Sequence, residues 1–374
     1  MRIEDLGVRR VINASATLTR LGGSRMPPSV LQAMRDGADS FVDLVELQRA
    51  VGGRIARLTR NEACYVSSGA AGGIAMAVAA CMTGADPARI ARLPDVGEGR
   101  CEVIVHRSQR NGYDHAARQT GARLVEIGMA HVTHRWELEE ALGPRTAAVL
   151  YFAGAHYALG ALPLPDVVEM AHARGVPVLV DAAAQIPPVS NLWHFTTELG
   201  ADVAIFSGGK GLRGPQSSGL VVGRADLIEG CHANGSPNHS LGRPMKVGKE
   251  ELMGVLAAVE WSLEQDEPAT LQRYEEMVQD WLEGLAGLPG ITVERGFPSE
   301  AGQPHARAIV RFTDSAAEAR DRVVRDLWES DPRIAVASVG ADAIALNPQT
   351  VEPGEERVVL EALRGILTAA PGPG

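Results

Sequence analysis

Cysteine is scarce in this chain and nowhere paired. Cys64, Cys81, Cys101 and Cys231 are the only four in 374 residues, far apart and without a Cys-x-x-Cys spacing. That pattern excludes a disulfide framework and a cysteine zinc site, and it fits a reducing, cytoplasmic setting. His131 and His134 have near-ligand spacing, yet they stand beside Arg135 with no cysteine or carboxylate to complete a set, so no metal is expected. Clustered positive charge is also missing. A net charge of −10 with a pI near 5.5, and no long basic run, excludes a general nucleic-acid surface. No stretch reaches the roughly 18 apolar residues that crossing a membrane requires. The start, Met1-Arg2-Ile3-Glu4-Asp5, carries acids where a secretory signal has an apolar core, so a soluble protein is expected.

What is present is a long, apolar-rich chain built around one lysine. At 45% hydrophobic content, 374 residues suffice for a buried sheet and a second domain. In Phe206-Ser207-Gly208-Gly209-Lys210-Gly211 the lysine lies among glycines, between the strand-like runs Ala201–Phe206 and Leu220–Val222. Glycine on both sides admits a flat ligand close to the backbone. A partly desolvated lysine there is a nucleophilic amine; the alternative is a solvated surface turn.

Two further signals precede Lys210 in the chain. Asp181 closes the apolar run Val176–Val180, and an acid at the carboxyl end of a buried strand calls for a cationic partner. Ser67-Ser68-Gly69-Ala70-Ala71-Gly72-Gly73 follows a short strand and opens an apolar helix, an arrangement that cradles an anion or else merely caps the helix. Phosphate loop, acid and lysine, in that order, are the needs of pyridoxal 5'-phosphate: donors for its phosphate, an anion for its ring nitrogen and an amine for its aldehyde.

These motifs, together with Val11-Ile12-Asn13-Ala14-Ser15, Leu21-Gly22-Gly23-Ser24, Gly242–Lys249 and Asn347-Pro348-Gln349-Thr350, span nearly the whole chain. The chain resembles the fold-type I pyridoxal-phosphate enzymes, and within them the selenocysteine synthase-like group with its ammonia-lyase branch. The resemblance implies an α/β, aminotransferase-like fold: a large domain on a mostly parallel sheet and a smaller α+β domain. It implies Lys210 and Asp181 as catalytic residues. Ser68, Gly69, Ala70, Ala183 and Ser207 join them around the cofactor, with a side chain of the loop after Glu102–Val105 covering one ring face. Gln109 is the first choice for that face and His106 the second. The desulfurase branch reads Asp-x-Ala-Gln where this chain has Asp181-Ala182-Ala183-Ala184, with glutamine only at Gln185, which leaves the role of Gln185 open. That branch also needs a cysteine in a late loop, which this chain lacks, and is rejected.

Along the chain, runs from 100 to 188 alternate between strand and helix character, as in βαβ units. The expected division is an amino-terminal segment 1–42, a cofactor-binding domain 43–249 and a small domain 250–374. In relatives the amino-terminal segment lies across the site, making Thr17, Thr19 and Arg20 candidates for substrate contact beside the alternative of a structural turn. Gly154-Ala155-His156 marks a second loop of interest, at a strand end. The polar connector Gly230–Gly242 and the cations Arg243, Lys246 and Lys249 suit an anion, with Arg243 and Lys246 the substrate-binding candidates in a homodimer or larger homo-oligomer with shared sites. Arg307 and Arg311 are candidates for a carboxylate. The expected reaction is α-proton abstraction and β-elimination from an amino acid or amino sugar acid, giving ammonia and a 2-oxo acid. Racemisation, aldol cleavage and transamination use the same three features, and a non-catalytic binding protein is the alternative of another class.

Overall fold

The computed structural model describes residues 2–313 and 316–368. Its strands are β1 (Val11–Ala14), β2 (Ala63–Ser67), β3 (Glu102–His106), β4 (Arg123–Ile127), β5 (Thr146–Phe152) and β6 (Val178–Asp181). They continue with β7 (Val203–Ser207), β8 (Gly219–Gly223), β9 (Ile291–Gly296), β10 (Arg307–Phe312), β11 (Arg333–Val339) and β12 (Ala343–Leu346). The chain divides into two compact units, Ser24–Gln265 and Met1–Gly23 with Asp266–Gly374.

In the larger unit seven strands run in the order β2-β8-β7-β6-β5-β3-β4, all parallel except β8, which is antiparallel to both neighbours. Strand β5, Thr-Ala-Ala-Val-Leu-Tyr-Phe, is buried along its whole length, the pattern of a parallel strand covered on both faces. Alternate residues of β3 serve different cores: Ile104 packs on one face, Val103 and Val105 on the other. The helix Gly69–Thr83, rich in alanine and glycine, is buried almost throughout. Its small residues let it lie close on the sheet, and a Cβ added at Gly73 would come within 2.9 Å of Ile205. Helix Leu44–Leu58 begins where Asp43 Oδ1 accepts hydrogen bonds from the backbone N–H groups of Val45 (2.9 Å) and Glu46 (3.0 Å).

The smaller unit holds a five-stranded sheet in the order β1-β11-β12-β10-β9, with β1 parallel to β11 and the remaining pairs antiparallel. Its core surrounds Trp281, fully buried, whose indole N–H donates to the Glu356 carbonyl at 2.9 Å. The helix Ala316–Glu329 is an element the sequence reading did not include.

These boundaries differ from the expected ones. The amino-terminal strand is an edge of the small unit's sheet rather than a separate segment, because β1 finds its hydrogen-bond partners on β11. The helical run from 250 to 285 is two helices, Lys249–Glu264 and Glu267–Leu285, broken where Asp266 Oδ1 caps the second by accepting from Ala269 N at 2.9 Å. The unit boundary falls at that break. The expected connector is also shorter, since Gly230 to Asn234 belong to the helix Ala225–Asn234.

Candidate active site

The carboxyl ends of β6 and β7 lie side by side. Asp181 is in register with Ile205, Ala182 N donates to the Ile205 carbonyl at 2.9 Å, and Ser207 N reaches the Ala183 carbonyl at 3.4 Å. Asp181, Ala183, Ser207 and Lys210 therefore share one end of the sheet. The loop after β2 joins them through β8, because Gly219 is in register with both Ser67 and Ser207. At about 4.8 Å per strand spacing, Ser67 and Ser207 are about 10 Å apart. Gly219 must be glycine for this to hold, since a Cβ there would sit 2.6 Å from the carbonyl carbon of Gly69.

Asp181 is 8% exposed. Its Oδ1 accepts from Ala183 N at 2.9 Å, while Oδ2 has no hydrogen-bond partner among the described residues. Burial raises the pKa of this carboxyl; the Ala183 N–H and the charge of Lys210 pull it back. Lys210 is shifted the opposite way, with burial disfavouring the ammonium and Asp181 partly restoring it. The two attract each other, yet no ion pair joins them among the described residues. An acid with an oxygen unpartnered among the described residues and an amine inclined to lose its proton thus lie within electrostatic reach of each other.

Ser68 stands at the N-cap of the helix Gly69–Thr83, and its side chain makes no capping hydrogen bond, so the first backbone N–H groups of that helix have no side-chain acceptor among the described residues. Gly69 has φ +78°, the left-handed turn that starts the helix here. The glycines around Lys210 also answer to the chain's own packing. They make room for side-chain and backbone atoms: a Cβ at Gly208 would meet Ser218 Oγ at 2.1 Å, at Gly209 the Cα of Gln216 at 2.6 Å, and at Gly211 the Ile186 carbonyl at 2.1 Å. Ser24 completes the loop, its hydroxyl lying 3.0 Å from the Gly209 carbonyl and 2.8 Å from that of Lys210.

Other expected residues lie elsewhere. Gln109 is fully buried and its Oε1 accepts from Phe152 N at 3.1 Å, so it braces β5 from within the core and covers no ring. His106 is likewise fully buried, with Nε2 accepting from Leu162 N at 3.2 Å and burial pushing its pKa down to about 4. Gln185 turns its amide to the Ala153 carbonyl at 3.2 Å. Lys249 Nζ donates to the carbonyls of Gly37 (2.7 Å) and Ala38 (2.6 Å), closing the end of the helix Pro28–Ala38. Arg307 pairs with Glu300 and Arg311 with Asp342 and Glu294 inside the small unit. Thr17 is buried, and Thr19 to Leu21 form a short 3-10 turn. Arg243 and Lys246 are exposed and have no partner among the described residues. No group of His, Cys, Asp and Glu suited to a metal occurs among the described residues.

One residue went unnoticed in the sequence. Tyr157, on the single turn Ala155–Ala158 after β5, is half-buried, and its hydroxyl lies in the electrostatic reach of Asp181 and Tyr113. Its neighbour His156 is exposed, and the two rings are 3.8 Å apart. Nothing in the pattern Ala-His-Tyr-Ala separates such a tyrosine from a surface one.

This arrangement is that of a fold-type I pyridoxal-phosphate enzyme. The aminotransferase class-V family model matches residues 93–342, and the chain belongs to that family of pyridoxal-phosphate-dependent enzymes. It is 34% identical over 375 residues to 5'-C-glycyluridine monooxygenase-decarboxylase of a Streptomyces species, covering 96% of this chain and 90% of the relative. It is 33% identical over 376 residues to D-glucosaminate-6-phosphate ammonia lyase of Salmonella typhimurium, covering 98% of each. A solved structure of D-glucosaminate-6-phosphate ammonia-lyase superposes with a TM-score of 0.84 over 97% of both chains. The L-seryl-tRNA(Sec) selenium transferase of Desulfomicrobium baculatum is 26% identical across 96% of this chain.

Proposed function

We propose that this chain is a pyridoxal-phosphate-dependent ammonia-lyase that takes a 2-amino-3-hydroxy acid, of the amino acid or amino sugar acid class, to a 2-oxo acid and ammonia. The observation that carries the cofactor is the pair formed by Asp181, buried with Oδ2 unpartnered among the described residues, and Lys210, whose ammonium is disfavoured; the lyase chemistry is supported by the 33% identity to D-glucosaminate-6-phosphate ammonia lyase over 98% of each chain. The donor set suits the cofactor. Backbone N–H groups after Ser68, at Gly69 and Ala70, would hold the phosphate, Asp181 Oδ2 the ring N–H, and Lys210 Nζ the aldehyde carbon, with Ala183 and Ser207 beside the ring. Bound there, pyridoxal phosphate supplies an electron sink for the carbon next to the substrate nitrogen. The chain's own part is proton handling and positioning. Lys210 Nζ, neutral more readily than an exposed lysine, takes the proton from that carbon. Asp181 keeps its charge by facing a cation. Arg243 and Lys246, exposed and unpaired among the described residues, bind the anionic groups of the substrate, and the protein acts in the cytoplasm as a homodimer in which each chain's 230–249 region reaches its neighbour's site.

Two relatives of nearly equal identity carry different reaction names, so the test must separate their chemistries. Purified holoenzyme is offered D-glucosaminate 6-phosphate and a panel of D- and L-2-amino-3-hydroxy acids, with ammonia, 2-oxo acid, oxygen uptake and carbon dioxide all followed. Ammonia and 2-oxo acid in equal amounts without oxygen uptake is the expected result. Oxygen uptake coupled to carbon dioxide release, or chirality lost with no ammonia formed, would replace this reading.

A further inference from the structure

Elimination of a hydroxyl group needs more than a base. As the β-carbon's C–O bond breaks, the departing oxygen takes the bonding pair and must receive a proton, because free hydroxide is a poor leaving group in a site shielded from water. Lys210 is occupied at that moment with the proton from the α-carbon. Asp181 is committed to its backbone hydrogen bond and to a cation. For the hydroxyl to leave while Lys210 still holds the α-proton, a second proton carrier is required, and it must reach the same end of the sheet.

Tyr157 meets the requirement by position. Strand β5 lies directly beside β6, with Phe152 in register with Asp181, and the crossing is pinned by Ala153 N donating to the Asp181 carbonyl at 2.9 Å. Gly154, at φ +149°, follows, and the turn Ala155–Ala158 lies just beyond the carboxyl end of β5, in contact with the turn Arg107–Gln109 that follows β3. The Tyr157 ring is held by Phe152 (5.9 Å between centroids) and His156 (3.8 Å). Its hydroxyl makes no hydrogen bond among the described residues, although it is half-buried. A buried-leaning phenol with a free O–H is a proton donor awaiting an acceptor. Burial first, and then the nearby carboxylate of Asp181 and the phenol of Tyr113, keep that proton on the oxygen at neutral pH.

We infer that Tyr157 gives the proton that turns the substrate's departing β-hydroxyl into water. This rests on the elimination reading above. The balance is complete without an oxidant or reductant. Lys210 Nζ gains the α-proton, the electron pair of that C–H bond becomes the new carbon–carbon double bond, the C–O pair leaves with oxygen, and the phenol proton joins it. The phenolate recovers a proton from the Lys210 ammonium through water, and one water is later consumed as ammonia is released.

The test uses Tyr157→Phe holoenzyme, which keeps the ring and its packing and removes the donor. The probes are D-glucosaminate 6-phosphate, serine and 3-chloroalanine, the amino acids in both enantiomers, because chloride leaves without a proton. Visible absorption and circular dichroism of the bound cofactor, together with its dissociation constant, should match wild type and show that the site is intact. Exchange of the α-hydrogen in deuterated water should continue at a wild-type rate. Release of 2-oxo acid from the hydroxy substrates should fall by about 100-fold or more, the usual worth of a general acid, while release from 3-chloroalanine stays within about twofold. Equal loss on hydroxy and chloro substrates, loss of α-exchange, or no loss at all overturns the assignment. Absence of both α-exchange and elimination in wild type overturns the lyase reading itself, and the assignment with it.

Discussion

Replacing Asp181 by Asn should move stability and cofactor affinity in opposite directions. In the unloaded protein the carboxylate is a burden. It is 8% exposed, one oxygen lacks a partner among the described residues, and its pKa is raised chiefly by burial. A group whose pKa is higher in the folded state loses protons less readily there than in the unfolded chain. Its unfavourable contribution therefore sets in as pH rises through the window between the unfolded value and the raised folded one, and is complete above it. Asn keeps the shape and the acceptor for Ala183 N and removes the charge, so the unloaded variant should melt no lower than wild type at neutral pH. Its margin over wild type should shrink on acidification, as the wild-type carboxyl protonates. Cofactor binding should suffer, because a charge-assisted hydrogen bond is worth about 1.5–3 kcal/mol. At about 1.4 kcal/mol per tenfold, the pyridoxal phosphate dissociation constant should rise by about 10- to 150-fold. Thermal melts of unloaded protein across pH, paired with a spectroscopic titration of cofactor, measure both. A variant that melts much lower while binding cofactor normally would make Asp181 a structural acid and refute the reasoning.

Lys210→Ala should retain pyridoxal phosphate through the loop after β2 yet show no turnover, and borohydride should fix label on Lys210 in wild type only, as peptide mapping would reveal. Mixed dimers of Lys210→Ala and Arg243→Ala protein, each inactive alone, should recover part of the activity if sites are shared; proven heterodimers with no recovery would return Arg243 to its own chain's lysine. His106, fully buried with a pKa lowered from 6.5 to about 4, remains neutral in the fold where the unfolded chain takes up a proton. Stability should thus fall by about 3 kcal/mol as pH drops from 6.5 to about 4, and denaturant titrations of His106→Gln should show a correspondingly shallower acid slope.

The large sheet was legible because its strands are continuous apolar runs such as Ala147 to Phe152, and because parallel strands place acids and loops at one end by rule. Asp181 and Lys210 stood out for the same reason: a charge ending a buried strand and a lysine among glycines are costly without a use. The ring-face residue was not legible. Gln109 sits in the right loop, yet the 3-10 turn Arg107–Gln109 swings it inward to the backbone of Phe152, a long-range contact that no local pattern encodes. Lys249 likewise reads as a free cation in sequence, and only the fold brings it to the carbonyls of Gly37 and Ala38, some two hundred residues away. The place of β1 was hidden because its partner strand lies near the other end of the chain.

That pairing sets a timetable for the newly made chain. Val11 waits for Arg333, and at ribosomal speeds of about 5–20 residues per second the interval is roughly 15–60 s. During it the whole stretch from Ser24 to Gln265, including the acid, the lysine and the phosphate loop, has already emerged. The cofactor-binding sheet can thus close while the smaller sheet lacks four of its five strands or has them only in part. Early pyridoxal phosphate capture would then ballast the nascent protein through the delay, making cofactor supply during synthesis, and not only afterwards, a determinant of how much of it survives.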